Sequence, residues 1–229
     1  MRKPVTELEN VLGHAFQKAQ LLEQALNHPS TARTRNDRKD SNQRMEFLGD
    51  RVLGLIIAKM LYEAFPDEEE GDMARRHTAL VRRESLSRVA EVIGLAPFID
   101  MASSEQDAGG RENPALLADA CEAVIAAIYL DGGIDPADTF IRRYWQPLMA
   151  ENTLPPQDAK TALQEYAQSQ GLALPVYNEV SRSGPPHDPV FTIEARVKDA
   201  PPATATGNSK RVAEQAAAAL LLDQLQDQQ

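Results

Sequence analysis

Residues 44–54 read Arg44-Met45-Glu46-Phe47-Leu48-Gly49-Asp50-Arg51-Val52-Leu53-Gly54. They open a run of strong helix formers that reaches about Phe65 with no proline inside it. Residues four apart on a helix share a face, roughly 5–6 Å from one another, so Glu46 and Asp50 form one acidic spot. Two carboxylates that close repel each other unless something positive lies between them. The pattern recurs at i,i+3 as Asp119 and Glu122, within Leu116-Leu117-Ala118-Asp119-Ala120-Cys121-Glu122-Ala123. Two such helices facing each other would make a four-carboxylate oxygen cage of the kind that holds magnesium. Alanines at 118, 120 and 123 leave room for another helix to come close.

The composition sets bounds around that pair. The chain has 229 residues, enough for one large domain or two modest ones, with 42% hydrophobic and 25% charged residues. No apolar run approaches the roughly 18 residues needed to span a membrane, and Met1–Leu8 lacks an apolar signal region. The single cysteine, Cys121, excludes an intrachain disulfide and suits a reducing cytoplasm; its apolar neighbours make it a small core residue. The net charge of −10 runs against nucleic-acid binding by global attraction. Clustering of basic groups decides such binding, and any affinity for a polyanion is expected to depend steeply on salt.

Up to Ala150 no segment alternates with a period of two, so this part reads as all-α. Residues 5–35 are short helices, with His28 beside a proline turn in a structural role. Residues 31–43 are a polar loop whose Arg33, Arg35, Arg38 and Lys39 are solvated by default. The long helix ends at Phe65-Pro66, because proline disfavours helix at the residue before it. Asp72 is read as the N-cap of a helix over 73–81, and Arg83 to Gly94 as another helix. Residues 102–114 read as a loop, Leu116, Leu117, Val124 and Ile128 as a buried stripe, and Asp135-Pro136 as N-cap and N1 of a last helix. Tyr144 and Trp145 on that helix are core or packing residues.

Leu154-Pro155-Pro156-Gln157 reads as a linker stiffened by proline, dividing residues 1–153 from 158–229. Beyond it the pattern is α-β-β-β-α: a helix from Asp158, strands over 176–181 and 190–197, a short third strand after Pro202, and a helix capped by Ser209. Phe191, Ile193, Ala195 and Val197 share one strand face, and the last helix is expected to bury Val212, Ala216 and Leu220. Lys210 and Arg211 sit at a helix N-terminus, where the dipole and free N–H groups favour phosphate.

These residues carry a resemblance. Glu46-Phe47-Leu48-Gly49-Asp50 resembles the signature of the ribonuclease III family. Leu117–Ala123, followed by Tyr129-Leu130-Asp131-Gly132-Gly133, resembles that family's second block. The α-β-β-β-α half, with Gly207–Ala217 opening its final helix, resembles a double-stranded-RNA-binding domain, which reads duplex shape, phosphates and 2′-hydroxyls.

The resemblance implies a magnesium-dependent endoribonuclease for double-stranded RNA, with manganese able to substitute. It implies a cytoplasmic homodimer, joined through the helical domain, whose two sites lie across one valley and cut one strand each. The ends left are 5′-phosphate and 3′-hydroxyl with a short 3′ overhang, and the substrates are rRNA precursors and structured mRNAs. Glu46, Asp50, Asp119 and Glu122 are then metal ligands, Asp50 and Glu122 the catalytic pair, and Glu70 a residue of the active-site rim. Gln164, Glu165, His187, Ser209, Lys210 and Arg211 are RNA contacts. Phe47 packs either into the partner subunit or into its own core. Gln43 departs from the family pattern, standing where many relatives carry a glutamate.

Two other readings compete. A non-catalytic duplex-RNA binder would not need the intact set of four acids. A di-iron carboxylate protein would need Glu-x-x-His pairs, and neither acidic helix supplies a histidine.

Overall fold

The structure is a computed structural model that describes residues 4–32, 34, 37–151, 159–185, 189–197 and 200–226. The chain divides into two compact units, Met1–Pro156 and Gln157–Gln229; the expected linker at 154–157 is outside the described residues. No described helix is long and apolar enough to cross a membrane.

The first unit is helical: α1 (Val5–Leu12), α2 (Ala19–Ala25), α3 (Gln43–Ala64), α4 (Glu70–Val81), α5 (Arg83–Val92), α6 (Ser103–Asp107), α7 (Pro114–Gly132) and α8 (Ile134–Glu151). Helix α7 is its axis. Asn113 caps it by accepting from the Ala115 N–H (2.9 Å), Pro114 stands at its first position, and Gly133 ends it at φ +84°. The burial is wider than a stripe: Ala120, Ala123, Ile125, Ala126 and Ala127 are covered along with Leu116, Leu117, Val124 and Ile128. A helix apolar all round belongs at the centre of its domain. Cys121 is fully buried among these residues, which pushes its thiol pKa up and leaves it inert.

Helix α3 crosses α7 at very short range. A Cβ built on Gly49 would lie 1.8 Å from the carbonyl oxygen of Glu122, so only glycine fits there. Around this crossing the remaining helices close the core. The Trp145 indole N–H donates to the Leu80 carbonyl (2.9 Å), and the Tyr144 hydroxyl donates to that of Val11 (2.9 Å). Asp131 ties the end of α7 to the α1–α2 turn, accepting from the Gln17 and Lys18 N–H groups and pairing with His14. Burial alone would raise its pKa, but these partners hold it below the usual carboxylate range.

Several local expectations shift. Helix α4 starts at Glu70, so Asp72 is inside its first turn, paired with Arg75, rather than capping it. Helix α8 starts at Ile134, which makes Asp135 a first-turn acid. Residues 102–114 contain the short α6 and a 3-10 turn at Gly110–Glu112 in place of a plain loop, and Asp37–Asp40 form another 3-10 turn. The shifts at α4 and α8 follow from their first-turn acids: Asp and Glu stabilise a helix start from inside the turn as well as from the cap.

The second unit packs α9 (Ala159–Ser169) and α10 (Lys210–Gln226) against an antiparallel sheet of β1 (Val176–Ser183), β2 (Val190–Arg196) and β3 (Ala203–Gly207) in the order β1-β2-β3. Phe191, Ile193, Ala195 and Val197 face its core with Leu163, Ala167 is also buried, and β3, after Pro202, takes an edge of the sheet. Helix α10 buries Ala213, Ala217, Ala218 and Leu221, whereas Val212 and Leu220 are about half exposed. The expected row at 212, 216 and 220 is one residue out of phase. Two adjacent i,i+4 rows are both apolar in this alanine-rich helix, and only packing against the sheet selects one.

Gly49→Ala is expected to destabilise the helical unit by about 1–3 kcal/mol or more, since backbone rather than a flexible side chain meets the added methyl. Thermal unfolding of the two proteins measures this; an unchanged midpoint would mean the helices can separate freely.

Candidate active site

Where α3 crosses α7 the acids converge on a pocket of about 370 Å³. Glu46, Phe47 and Asp50 line it from α3, Ala118, Asp119 and Glu122 from α7, Arg83 and Leu86 from α5, with Val81 beside them. Carboxylate oxygens of Glu46, Asp119 and Glu122 can all lie within 4.8 Å of one another. Glu46 of the i,i+4 pair therefore meets Asp119 and Glu122, the i,i+3 pair, across the crossing.

Asp50 departs from the expected cage. It lines the same pocket, but its carboxylate pairs with the adjacent Arg51, whose guanidinium also lies over the Phe47 ring (5.2 Å to the centroid). The compact cluster is therefore three carboxylates, with the fourth on the wall. Sequence spacing sets the helix face, not the rotamer, and a neighbouring arginine captures this one.

Crowding leaves an electrostatic mark. Burial, then the charges of Asp50, Glu46 and Asp119, push the Glu122 carboxyl up to about 8, against a small opposing effect of Arg51. Burial and the neighbouring acids Asp119 and Asp50 raise Glu46. Burial raises Asp119, partly offset by Arg83 and His28. Such a site favours a positive charge among these oxygens, and its donors are all hard.

His28 keeps the structural role expected of it. Its Nδ1 accepts from the Ser30 N–H (3.2 Å) at the head of a 3-10 turn, and burial lowers its pKa. The basic residue of the pocket, Arg83, went unnoticed as such in the sequence. Arg83 carried a signal, because a basic residue in the first turn of a helix opposes the helix dipole. Gly49 was legible as a motif residue, but its contact is tertiary. Glu70 stands apart from the acids: it lines a different, largely apolar groove with Leu61, Tyr62, Met73 and His77. Glu70 is not among the residues that line the acidic pocket.

On the second unit, Gln164 and Glu165 are exposed on α9, and the Ser209 hydroxyl accepts from the Val212 N–H (3.3 Å), capping α10. Arg211 is exposed. The Lys210 ammonium is paired with the Glu179 carboxylate (2.7 Å) on the surface. His187 is outside the described residues.

Comparison with known proteins agrees with both units. Residues 18–148 match the family model described as ribonuclease-III-like, and residues 159–225 match the double-stranded RNA binding motif. The chain is 51% identical over 210 residues to ribonuclease 3 of Mesorhizobium japonicum, covering 92% of this chain and 94% of that one. It is 43% identical over 224 residues to ribonuclease 3 of Ehrlichia canis, covering 98% and 99%. The nuclease domain of ribonuclease III from Campylobacter jejuni superposes with a TM-score of 0.58 at 37% identity, covering 68% of this chain and 98% of that domain. With a helical nuclease domain, a double-stranded-RNA-binding domain and near-full-length relatives, the chain belongs to the ribonuclease III family and is a double-stranded-RNA endoribonuclease.

Proposed function

We propose that the pocket at the α3–α7 crossing is the hydrolytic centre, with Glu46, Asp50, Asp119 and Glu122 as ligands of magnesium. The observation that carries this reading is the cluster of Glu46, Asp119 and Glu122, where burial and then the charges of Asp50, Glu46 and Asp119 raise Glu122 to about 8. Oxygen-only donors without histidine or cysteine fit magnesium, and manganese fits the same set. A bound divalent cation supplies Lewis acidity, activating water and stabilising the leaving oxygen. Asp50 joins the set in exchange for its contact with Arg51. Glu122 and Asp50 orient the attacking water by accepting its hydrogens, and cleavage leaves 5′-phosphate and 3′-hydroxyl ends. Precursor rRNAs and structured mRNAs in the cytoplasm are the substrates in this reading.

A homodimer completes it. Phe47 is 66% exposed, which removes burial in its own core as an explanation. Leu55 (64%) and Tyr62 (75%) continue the same face of α3, beside the apolar groove that holds Glu70. A two-fold contact in which each Phe47 enters the other copy's groove satisfies both surfaces at once. It also carries Glu70 to the neighbourhood of the partner copy's Glu46, which is the rim position its own chain lacks. The two modules, joined through 154–157, then divide the work: Gln164, Glu165, His187, Ser209, Lys210 and Arg211 grip the duplex while the paired helical units cut one strand each.

Glu122→Gln is expected to abolish cleavage of a long RNA duplex in magnesium while leaving binding intact; cleavage at wild-type rate would remove Glu122 from the centre. The pH dependence of stability tests the cluster by a second route. Because the folded-state pKa of Glu122 lies above its unfolded value, its contribution is fully present below about pH 4.5 and lost as pH rises towards 8. In EDTA the unfolding free energy should therefore fall over that range, by about 1–2 kcal/mol after solvent screening, and the melting temperature with it. Magnesium should restore it, and Glu122→Gln should flatten the fall. A metal-insensitive, flat profile in the wild type would count against the site. Phe47→Ser should convert a dimer into a monomer in light scattering, and a wild-type chain that is monomeric at micromolar concentration would exclude the dimer.

A further inference from the structure

We propose that Arg83 binds a phosphate of the RNA backbone at the mouth of the acidic pocket, as a further substrate-contacting residue of the cleavage reaction. The inference rests on the reading of that pocket as the hydrolytic centre. Arg83 is the only basic residue among those lining the pocket, and it is exposed at the first position of α5. Among the described residues it makes no ion pair or side-chain hydrogen bond. Several other arginines of the helical unit are engaged: Arg51 with Asp50, Arg75 with Asp72, Arg76 with Glu68, Arg82 with Glu84 and Arg88 with Glu151.

The fold gives Arg83 no structural reason to be basic. A cation in the first turn of a helix opposes the dipole, and its neighbour Glu84 is the residue that suits that position. Its guanidinium is near enough for its charge to be felt at Asp119. An RNA strand entering this pocket brings a row of phosphates towards four carboxylates. A cation held between the carboxylates offsets charge in the interior only, so phosphates at the mouth need a separate positive partner. A planar guanidinium can take two phosphate oxygens at once, which an ammonium cannot. Leu86, one turn along α5 and 2% exposed, anchors the start of that helix in the pocket wall.

The test compares full-length wild type with Arg83→Gln, Arg83→Ala and Arg83→Lys on one RNA duplex in magnesium, across a series of salt concentrations. Loss of the guanidinium is expected to lower kcat/KM by about tenfold at moderate salt, mainly through KM. It should also make the slope against log salt shallower by about 0.7–0.9, the value of one phosphate contact. Arg83→Lys should keep most of the slope and lose part of the rate. Melting temperature and the magnesium concentration for half-maximal activity should not move. Binding of the duplex by Glu122→Gln, with and without Arg83→Gln, should repeat the slope change in the absence of turnover. Wild-type slope and kcat/KM in Arg83→Gln would overturn the proposal while leaving the pocket as the centre. A Glu122→Gln chain that still cuts would remove the centre, and the role of Arg83 with it.

Discussion

The approach of α3 to α7 at Gly49 is the constraint on which the rest of the helical unit depends. Backbone nearly touches backbone there, and the carboxylates of two helices are brought within a few ångströms as a direct result. That contact is electrostatically unfavourable in the protein alone, as the raised pKa of Glu122 records. It persists because α7 is sheathed in apolar contacts along its length. Full burial of a single Val, Leu or Ile contributes about 1.5–3 kcal/mol, and Val124, Ile125 and Ile128 are each entirely covered. A few such residues offset the repulsion among the acids. The core thus holds charge in a position that water would not favour, which is the general condition for a preorganised site.

Charge placement answers the puzzle of an acidic protein that handles a polyanion. The net charge of −10 is spread over the whole chain, but the groups that meet RNA act locally. In the second unit several basic residues already have carboxylate partners: Lys160 with Glu214, Arg196 with Glu194 and Lys210 with Glu179. Exposed pairs of this kind are worth no more than about 1 kcal/mol and exchange readily. A phosphate can therefore take over Lys210 at little cost, and release it as easily when salt rises. Around the acidic pocket the pattern is different. There Arg83, the basic residue of the pocket lining, has no ion-pair partner among the described residues.

Much of this was legible in the residues themselves. Helix and strand periodicity set the all-α half and the α-β-β-β-α half. The i,i+4 and i,i+3 acids announced two matching faces, and the small residues about Asp119 and Glu122 announced a close neighbour, because helix geometry makes these local relations independent of context. Tertiary packing decided what local geometry leaves open. It took Asp50 out of the compact cluster by offering it Arg51, and it shifted the buried row of α10 by one residue, since the less bulky of two adjacent apolar rows is the one that meets the sheet. It also set Glu70 in a groove apart from the acids, left Phe47 in solvent and brought Arg83 to the pocket from a third helix. Rotamers, burial and contacts between distant segments are set by the whole fold, and no spacing along the chain encodes them.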